Sequence, residues 1–488
     1  MFSRICCMAF SPGKATSKNL FWAYLSFIST KLLNFVAVII IARYVDPVEF
    51  GLMAICLAIM GYFEIISKFG LGAALISVKD RQEETANAVF FCAIFTSTLM
   101  ALLLWWGSGA IAGLFESPEL EPLLGTVCLV LVIRALGSVH YSLLFRELNL
   151  RKKLVPDVAQ GLAKGLISIA LAILGYGVWS LVIGYVAGAL VSTLLLFWIR
   201  PWKPSALPDW PTVRYVMSFG SYLIGAETIN ATPRLLDNLL VGKFLGPAAL
   251  GIYAIAYRIP ELAIKSFTSV AGTVLHPVMS KMQTHPEDLA KYYYQALRYC
   301  ALLMFGIGAA IAVLAEPTVH VLYNEKWYGM VAPMQFIAAA LAVSTLNMVP
   351  GELLKAVSRT DLMFRAALFN LPIFILLLAG AIPFGITAVA AAQLAMAFIR
   401  FIPIYLATKR VMNVTIAKIF AALRPALVCA ASASLAAFLA LQMHTGSELL
   451  RLMAGAAAFA AVYLVALRLM LPGAFAAGHR FILKRRRA

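Results

Sequence analysis

The sequence predicts an all-α polytopic membrane protein of about 14 transmembrane helices, arranged as two parallel six-helix lobes plus two C-terminal helices. Three observations predict it. Of 488 residues, 62% are hydrophobic and 13% charged, and mean hydropathy is +0.88, more apolar surface than a water-soluble globule can bury. The apolar runs reach about 20 residues or more, enough for an α-helix to cross ~30 Å of hydrocarbon, whereas barrel strands would be about half as long and would alternate. The third observation is an internal repeat. Residues 42–55 and 242–255 share Pro47/Pro247, Gly51/Gly251, Ala54/Ala254 and Ile55/Ile255 at an offset of 200 residues, and the triplets Arg43-Tyr44-Val45 and Lys243-Phe244-Leu245 match in type. Each copy lies between two long apolar runs, so the repeated unit is a membrane hairpin with its Pro-to-Gly turn.

Charged or Pro/Gly-rich breaks set the spans in order, and the loops between them show an alternation of charge. Span 19–42 follows Arg4, Lys14 and Lys18; it is too long for the core of a cleaved signal, lacks a small-residue cleavage site, and is expected to stay. The loop to span 50–77 holds Arg43, Asp46 and Glu49, and the loop to span 86–107 holds Lys79 and Arg81. Glu116, Glu119 and Glu121 precede and open span 119–144; Arg146, Arg151, Lys152 and Lys153 precede span 155–174. Span 178–199 is followed by Arg200, Lys203 and Arg214 around the start of span 211–241, and Lys243 lies before span 248–278. Lys281, Lys291 and Arg298 flank the start of span 294–315; Glu316, Glu325 and Lys326 precede span 328–354. Lys355, Arg359 and Arg365 lead into span 362–381, span 384–407 follows, and Lys409, Arg410, Lys418 and Arg424 flank span 417–440. Glu448 and Arg451 open span 449–470, and the chain closes on Lys484-Arg485-Arg486-Arg487. Basic loops alternate with acidic ones, which places the basic set and both termini in the cytoplasm, as an even number of spans requires.

The formal net charge of +18 is therefore topological. The basic residues are scattered through short loops and form no single groove, so nucleic acid is not an expected partner. The seven cysteines are isolated except for Cys6-Cys7 and show no ligand spacing, so neither a disulfide framework nor a metal site is expected. No extramembrane segment is long enough for a soluble catalytic module, and no enzyme activity is expected. The repeat offset equates spans one and two with spans seven and eight. It gives an N-terminal lobe at 1–199, a C-terminal lobe at 200–410, and a C-terminal segment at 411–488 with spans thirteen and fourteen and a basic tail. Six spans between copies keep the halves parallel.

Ionisable residues deep in such spans are expensive and are the functional candidates. Lys31 lies near the midplane of span one, with Thr30 beside it and Asn34 a turn further on. Span seven carries Glu227, Asn230, Arg234, Asp237 and Asn238 along one face, with Pro233 expected to kink it. Span eight carries Tyr253, Tyr257, Glu261 and Lys265 at steps of four, with Arg258 beside them; span two carries Glu64 and Lys68. Two readings stand for several of these. Glu64/Lys68 and Glu261/Lys265 are either helix pairs that snorkel or functional groups; Arg234 with Asp237 is either an internal ion pair or part of the site. Arg134 and Lys164 either pack against polar groups or touch substrate. His140, His276 and His320 lack ligand spacing and read as structural. The buried set is net cationic, which suits an anion such as a phosphate or diphosphate. Trp22, Tyr24, Tyr62, Tyr222, Tyr253 and Tyr257 are placed to stack on sugar rings or to serve as packing and interfacial anchors.

The run Leu236-Asp237-Asn238-Leu239-Leu240-Val241-Gly242-Lys243-Phe244-Leu245-Gly246-Pro247, continuing to Leu250-Gly251-Ile252-Tyr253, with its Arg43-Tyr44 to Gly51 copy and the span layout, resembles the bacterial polysaccharide transporter family. That group holds the lipid-linked O-antigen and exopolysaccharide repeat-unit flippases of the multidrug/oligosaccharidyl-lipid/polysaccharide superfamily. The resemblance implies two lobes around a cationic cavity and alternating-access movement of an undecaprenyl-pyrophosphate-linked oligosaccharide across the inner membrane. Lys31, Asn34, Arg234, Tyr257 and Arg258 would then bind substrate, and Glu64, Lys68, Glu227, Asp237, Glu261 and Lys265 would serve coupling or gating. No cofactor is implied beyond coupling to H+ or Na+; the implied partners are the lipid-linked oligosaccharide, membrane lipid, a polysaccharide polymerase and glycosyltransferases. Rival readings are a cation-coupled multidrug exporter, whose cavity should be acidic, a lipid II flippase, and a non-transporting scaffold, which needs no buried charges.

Overall fold

The computed structural model describes residues 29–68, 70–78, 81–147, 149–443 and 447–471, without the side chains of 150, 222, 223, 225–227, 229, 230, 233, 234, 269 and 270. The described residues form helices and short connections, with no strand among them. They divide into two compact units, the first ending at Ala254 and the second starting at Ile255. The segments 1–199, 200–410 and 411–488 follow the internal repeat; compactness divides the chain between residues 254 and 255 instead.

The first unit contains α1 (Ser29–Ile41), α2 (Pro47–Lys68), α3 (Leu71–Ser77), α4 (Gln82–Leu114), α5 (Leu120–Val127), α6 (Leu129–Arg146), α7 (Leu150–Ile173), α8 (Val178–Ile199) and most of α9 (Trp210–Ala256). The start of α2 follows from its sequence. Pro47 stands at the first helical position, where its missing N–H leaves no gap, and Glu49 Oε2 accepts from the Asp46 backbone N–H at 2.8 Å. The second copy of the repeat has Gly246 where the first has Asp46. Gly246, at φ 83° and ψ 168°, is the one non-helical residue inside α9, a conformation open to glycine because it carries no Cβ. The interruption in α9 thus falls at the repeat turn.

The second unit contains α10 (Ser266–Lys281), α11 (Pro286–Val313), α12 (Ala315–Leu322), α13 (Val331–Val343), α14 (Thr345–Ala356), α15 (Thr360–Ala381), α16 (Ile386–Met412), α17 (Ile416–Met443) and α18 (Glu448–Met470). Its core gathers Ile264 from the turn before α10, and Met279, Tyr293, Ala301, Val349 and Leu353 from α10, α11 and α14, with Ala426 and Cys429 of α17. The C-terminal helices are part of this unit. The Tyr463 hydroxyl of α18 donates to the Leu302 carbonyl of α11, and its ring covers Gly306.

Among the described residues twelve helical runs are long and apolar enough to cross a membrane. The fourteen spans read from the sequence differ at two places. Only Ser29–Ile41 of the first span is described, and it is shorter than a crossing. The second difference lies at span seven, where several side chains before Leu235 lie outside the described residues, so that the apolar run starts at Leu235 and continues to Lys281; Gly246 marks the kink between two helices within it.

Within the first unit the two repeat turns meet. A methyl group on Gly51 would overlap the carbonyl of Pro247, and one on Gly251 would overlap the carbonyl of Pro47. Exchanging the two repeat copies maps each contact onto the other, so the crossing of α2 and α9 has local two-fold character. Only glycine lets the backbones come this close. Gly242 likewise leaves room for Ile55 and Leu250, and Gly61 faces the Leu235 side chain.

Beside this crossing, Lys243 Nζ donates to Glu116 Oε1 at 2.7 Å, with the Glu116 side chain 82% exposed. The hydrogen bond and charge of Lys243 hold the Glu116 carboxyl below its ordinary pKa. The stabilisation from this pair is present above the ordinary carboxylate pKa and is lost as pH falls through the lowered value. In an acid titration of melting temperature, Glu116→Gln is therefore expected to flatten that part of the profile slightly; an unchanged slope would show the pair to be inert. Solvent screening keeps the effect small.

Candidate functional site

Four helices of the first unit bring charge together inside the membrane-spanning region. Glu64 of α2 accepts from Arg134 Nη1 of α6 at 2.5 Å and from Lys68 Nζ at 2.9 Å. The Arg134 guanidinium lies 5.3 Å from the centroid of the Tyr185 ring on α8. Lys164 of α7 places its Nζ 5.3 Å from the same centroid. The Glu64 and Arg134 side chains are only 19% and 30% exposed. Counting at 1.5 Å per residue, Lys68 lies at the basic-loop end of α2, Arg134 about 18 Å from the basic end of its helix, and Lys164 about 21 Å from that end. The group therefore climbs from the basic-loop end of these helices towards their middle.

The local sequence explains why Lys164 and Tyr185 meet. Gly184 and Gly188 stand four apart on α8, and methyl groups there would run into Ser168 Oγ and the carbonyls of Lys164 and Gln160 on α7. The small-residue face lets the two backbones close up, and Tyr185, between those glycines, lands beside Lys164. On the other side of α7, Gly161 and Gly165 face Thr30, Asn34 and Ala37 of α1, with Ala37 Cβ 3.1 Å from where a Gly165 Cβ would sit. Lys164 lies between these two glycines, on a helix gripped from both sides.

A second polar group lies on α9. Asp237, 3% exposed, accepts from the hydroxyl of fully buried Tyr253 at 3.4 Å and from the Asn238 backbone N–H at 2.8 Å. On the same helix the Thr232 hydroxyl donates to the Thr228 carbonyl at 2.7 Å. The Asp237–Tyr253 contact joins the two sides of the kink at Gly246.

The remaining candidates fall as follows. Lys31 is exposed on α1, and the Asn34 amide donates to the Thr30 carbonyl one turn back at 2.8 Å. The side chains of Glu227, Asn230, Pro233 and Arg234 lie outside the described residues, as do Trp22, Tyr24 and the side chain of Tyr222. In the second unit Arg258 is exposed and Tyr257 half-buried, at a short helical turn. Glu261 there pairs with Lys265 at 2.8 Å. Both residues belong to a π-helical turn after Pro260, a position where the missing proline N–H interrupts the ordinary helical ladder. The structure thus joins Glu64 and Lys68 to Arg134 and Lys164, two residues the sequence left between packing and binding. Tyr185 was not singled out by sequence reasoning; the four-residue glycine spacing around it is the signal that could have found it. His140 stacks edgewise on Phe197 at 4.2 Å, and His320 lies 3.8 Å from Glu448.

The profile of the family described as polysaccharide biosynthesis protein matches residues 40–332, more than half of the chain, including both repeat copies and every member of the charge cluster. The chain belongs to this family. It is similar to the succinoglycan biosynthesis transport protein ExoT of Rhizobium meliloti (strain 1021), 28% identical over 315 residues, 64% of each chain. It is also similar to the lipopolysaccharide biosynthesis protein WzxC of Escherichia coli (strain K12), 23% identical over 356 residues, 72% of each. The chain thus spans a little under two thirds of the length of ExoT. Among solved structures, the lipid II flippase MurJ in an inward closed conformation superimposes with TM-score 0.75 at 15% identity, over 93% of this chain and 99% of that one. An inward-facing multidrug resistance MATE family transporter of the MOP superfamily gives 0.64 at 14% identity, over 79% and 96%. These two likenesses establish the fold, and the chain is a multi-pass membrane protein.

Proposed function

We propose that this protein moves a polyprenyl-diphosphate-linked oligosaccharide repeat unit from the cytoplasmic to the periplasmic leaflet of the bacterial inner membrane, by alternating access, for surface polysaccharide synthesis. The observation that carries this reading is the Glu64–Lys68–Arg134–Lys164 cluster in a chain of the polysaccharide biosynthesis family. Its cations suit the negative charges of a diphosphate diester, and Arg and Lys hold phosphate oxygens by charge-assisted hydrogen bonds. Relatives named for succinoglycan transport and lipopolysaccharide biosynthesis support the cargo class.

In this mechanism the lipid tail stays in the bilayer while the headgroup crosses. Lys68, at the basic-loop end, meets the diphosphate first, and Arg134 and Lys164 receive it deeper. At Lys68 and at Arg134 a phosphate oxygen takes the place of Glu64 as the partner of the cation. Lys31, Asn34, Arg234, Tyr257 and Arg258 are proposed as further headgroup contacts; Glu227, Asp237, Glu261 and Lys265 are proposed to couple or gate the movement with H+ or Na+. Both termini are proposed to be cytoplasmic, and a polymerase and glycosyltransferases to act before and after this step.

The test is mass spectrometry of lipid-linked glycans, with surface polymer, in a deletion strain with and without the wild-type gene. Build-up of a polyprenyl-diphosphate repeat unit with loss of polymer, reversed by complementation, is expected. Unchanged lipids and polymer would favour a multidrug exporter, and build-up of lipid II would favour a lipid II flippase.

A further inference from the structure

We infer that Tyr185 is a positioning residue that holds Arg134 and Lys164 together as a two-cation receptor for the diphosphate; this rests on the proposed cargo. Like charges in a poorly solvated site repel each other, yet both Arg134 and Lys164 lie 5.3 Å from one ring centroid. The electron-rich face of a tyrosine attracts each cation, so one ring offsets part of the cost of having two cations at one place. Arg134 has a second anchor in Glu64.

The ring is itself fixed. Gly184 and Gly188 press the α8 backbone onto Gln160, Lys164 and Ser168, so the segment that carries Tyr185 cannot slide along α7. The cations differ in kind. Arg134 offers a planar fork that binds two oxygens of one phosphate, and Lys164 offers a compact charge that suits the other. A diphosphate bridges the two; a monoanion satisfies only one.

The test uses purified full-length protein and titration with farnesyl diphosphate, with inorganic pyrophosphate and farnesol as comparison ligands. Wild type is expected to bind farnesyl diphosphate, pyrophosphate to compete, and farnesol not to bind. Tyr185→Leu is expected to weaken farnesyl diphosphate binding about tenfold, while Tyr185→Phe and Tyr185→Trp, which keep an aromatic face, bind within about threefold of wild type. A structural role would not sort the variants by ring face. If Tyr185 works through Lys164, Tyr185→Leu has little further effect once Lys164→Ala is present. Wild-type binding by Tyr185→Leu, with Arg134→Ala still weakened, overturns the role of Tyr185 and leaves the diphosphate reading standing. Equal binding of farnesol and farnesyl diphosphate overturns both. Should Tyr185→Leu not fold, the Phe and Trp variants decide: tenfold losses in both, with melting temperatures unchanged, contradict the inference.

Discussion

Replacing Gly51 by leucine is expected to abolish polymer export and to destabilise the protein by about 3 kcal/mol or more. The obstruction is a peptide carbonyl, that of Pro247, and a carbonyl at the first turn of a helix cannot rotate aside as a side chain can. Gly251→Leu should behave alike because its obstruction is the carbonyl of Pro47. Even alanine at either position meets the same oxygen. Controls on other helical glycines separate crowding from a general loss of glycine. Gly61 faces only the ends of the Leu235 side chain, so Gly61→Ala should cost about 1 kcal/mol or less. Nothing lies within 4 Å of a Cβ at Gly107, and Gly107→Ala should be neutral or stabilising by about 0.5 kcal/mol. Melting temperature in detergent gives the ranking. A Gly51→Ala protein as stable as Gly107→Ala would show that the α2–α9 crossing is not as close as described.

The second large effect is expected at Arg134. Arg134→Ala leaves the mostly buried Glu64 carboxylate with Lys68 as its remaining ion-pair partner, and Lys68 is itself 64% exposed. Removing one member of a buried pair typically costs ~3–5 kcal/mol; with Lys68 retained, about 2 kcal/mol is expected here. Adding Glu64→Gln should return most of that stability, since the uncompensated charge is gone, yet export should remain lost because the receptor cation is still missing. Stability and function thus part company in the double variant. Export by Glu64→Gln/Arg134→Ala at the wild-type level would make Arg134 a structural partner of Glu64 only.

Much of the architecture was legible in the chain because membrane helices declare themselves through length and apolarity. The 200-residue repeat also predicted where related turns would lie, and Gly51 and Gly251 prove to face each other's proline carbonyls. The closeness of that contact was not legible, since a glycine in sequence does not say what presses on it. The charged pairs Glu64/Lys68 and Glu261/Lys265 could be read from their i,i+4 spacing, and both form. That Glu64 also binds Arg134, 70 residues away, depends on how α2 and α6 pack, which helical periodicity does not encode. Tyr185 was overlooked because an aromatic residue in a membrane helix is ordinarily packing; its role emerges from the glycines on either side of it. The turn at Gly246 was legible as a break between two spans; what the sequence did not show is how tight it is, with the non-helical backbone confined to Gly246 and Tyr253 brought back against Asp237.

The account's central claim is that the Arg134–Lys164 pair receives the diphosphate of the cargo. The most direct measurement is the amount of lipid-linked repeat unit in a deletion strain carrying the Arg134→Ala/Lys164→Ala variant, at an expression level and melting temperature matched to an Arg134→Lys/Lys164→Arg control. Accumulated lipid-linked repeat unit with little surface polymer in the alanine variant, and near-normal polymer in the charge-preserving control, is the result predicted. Full polymer with no accumulated intermediate in the alanine variant would contradict the claim.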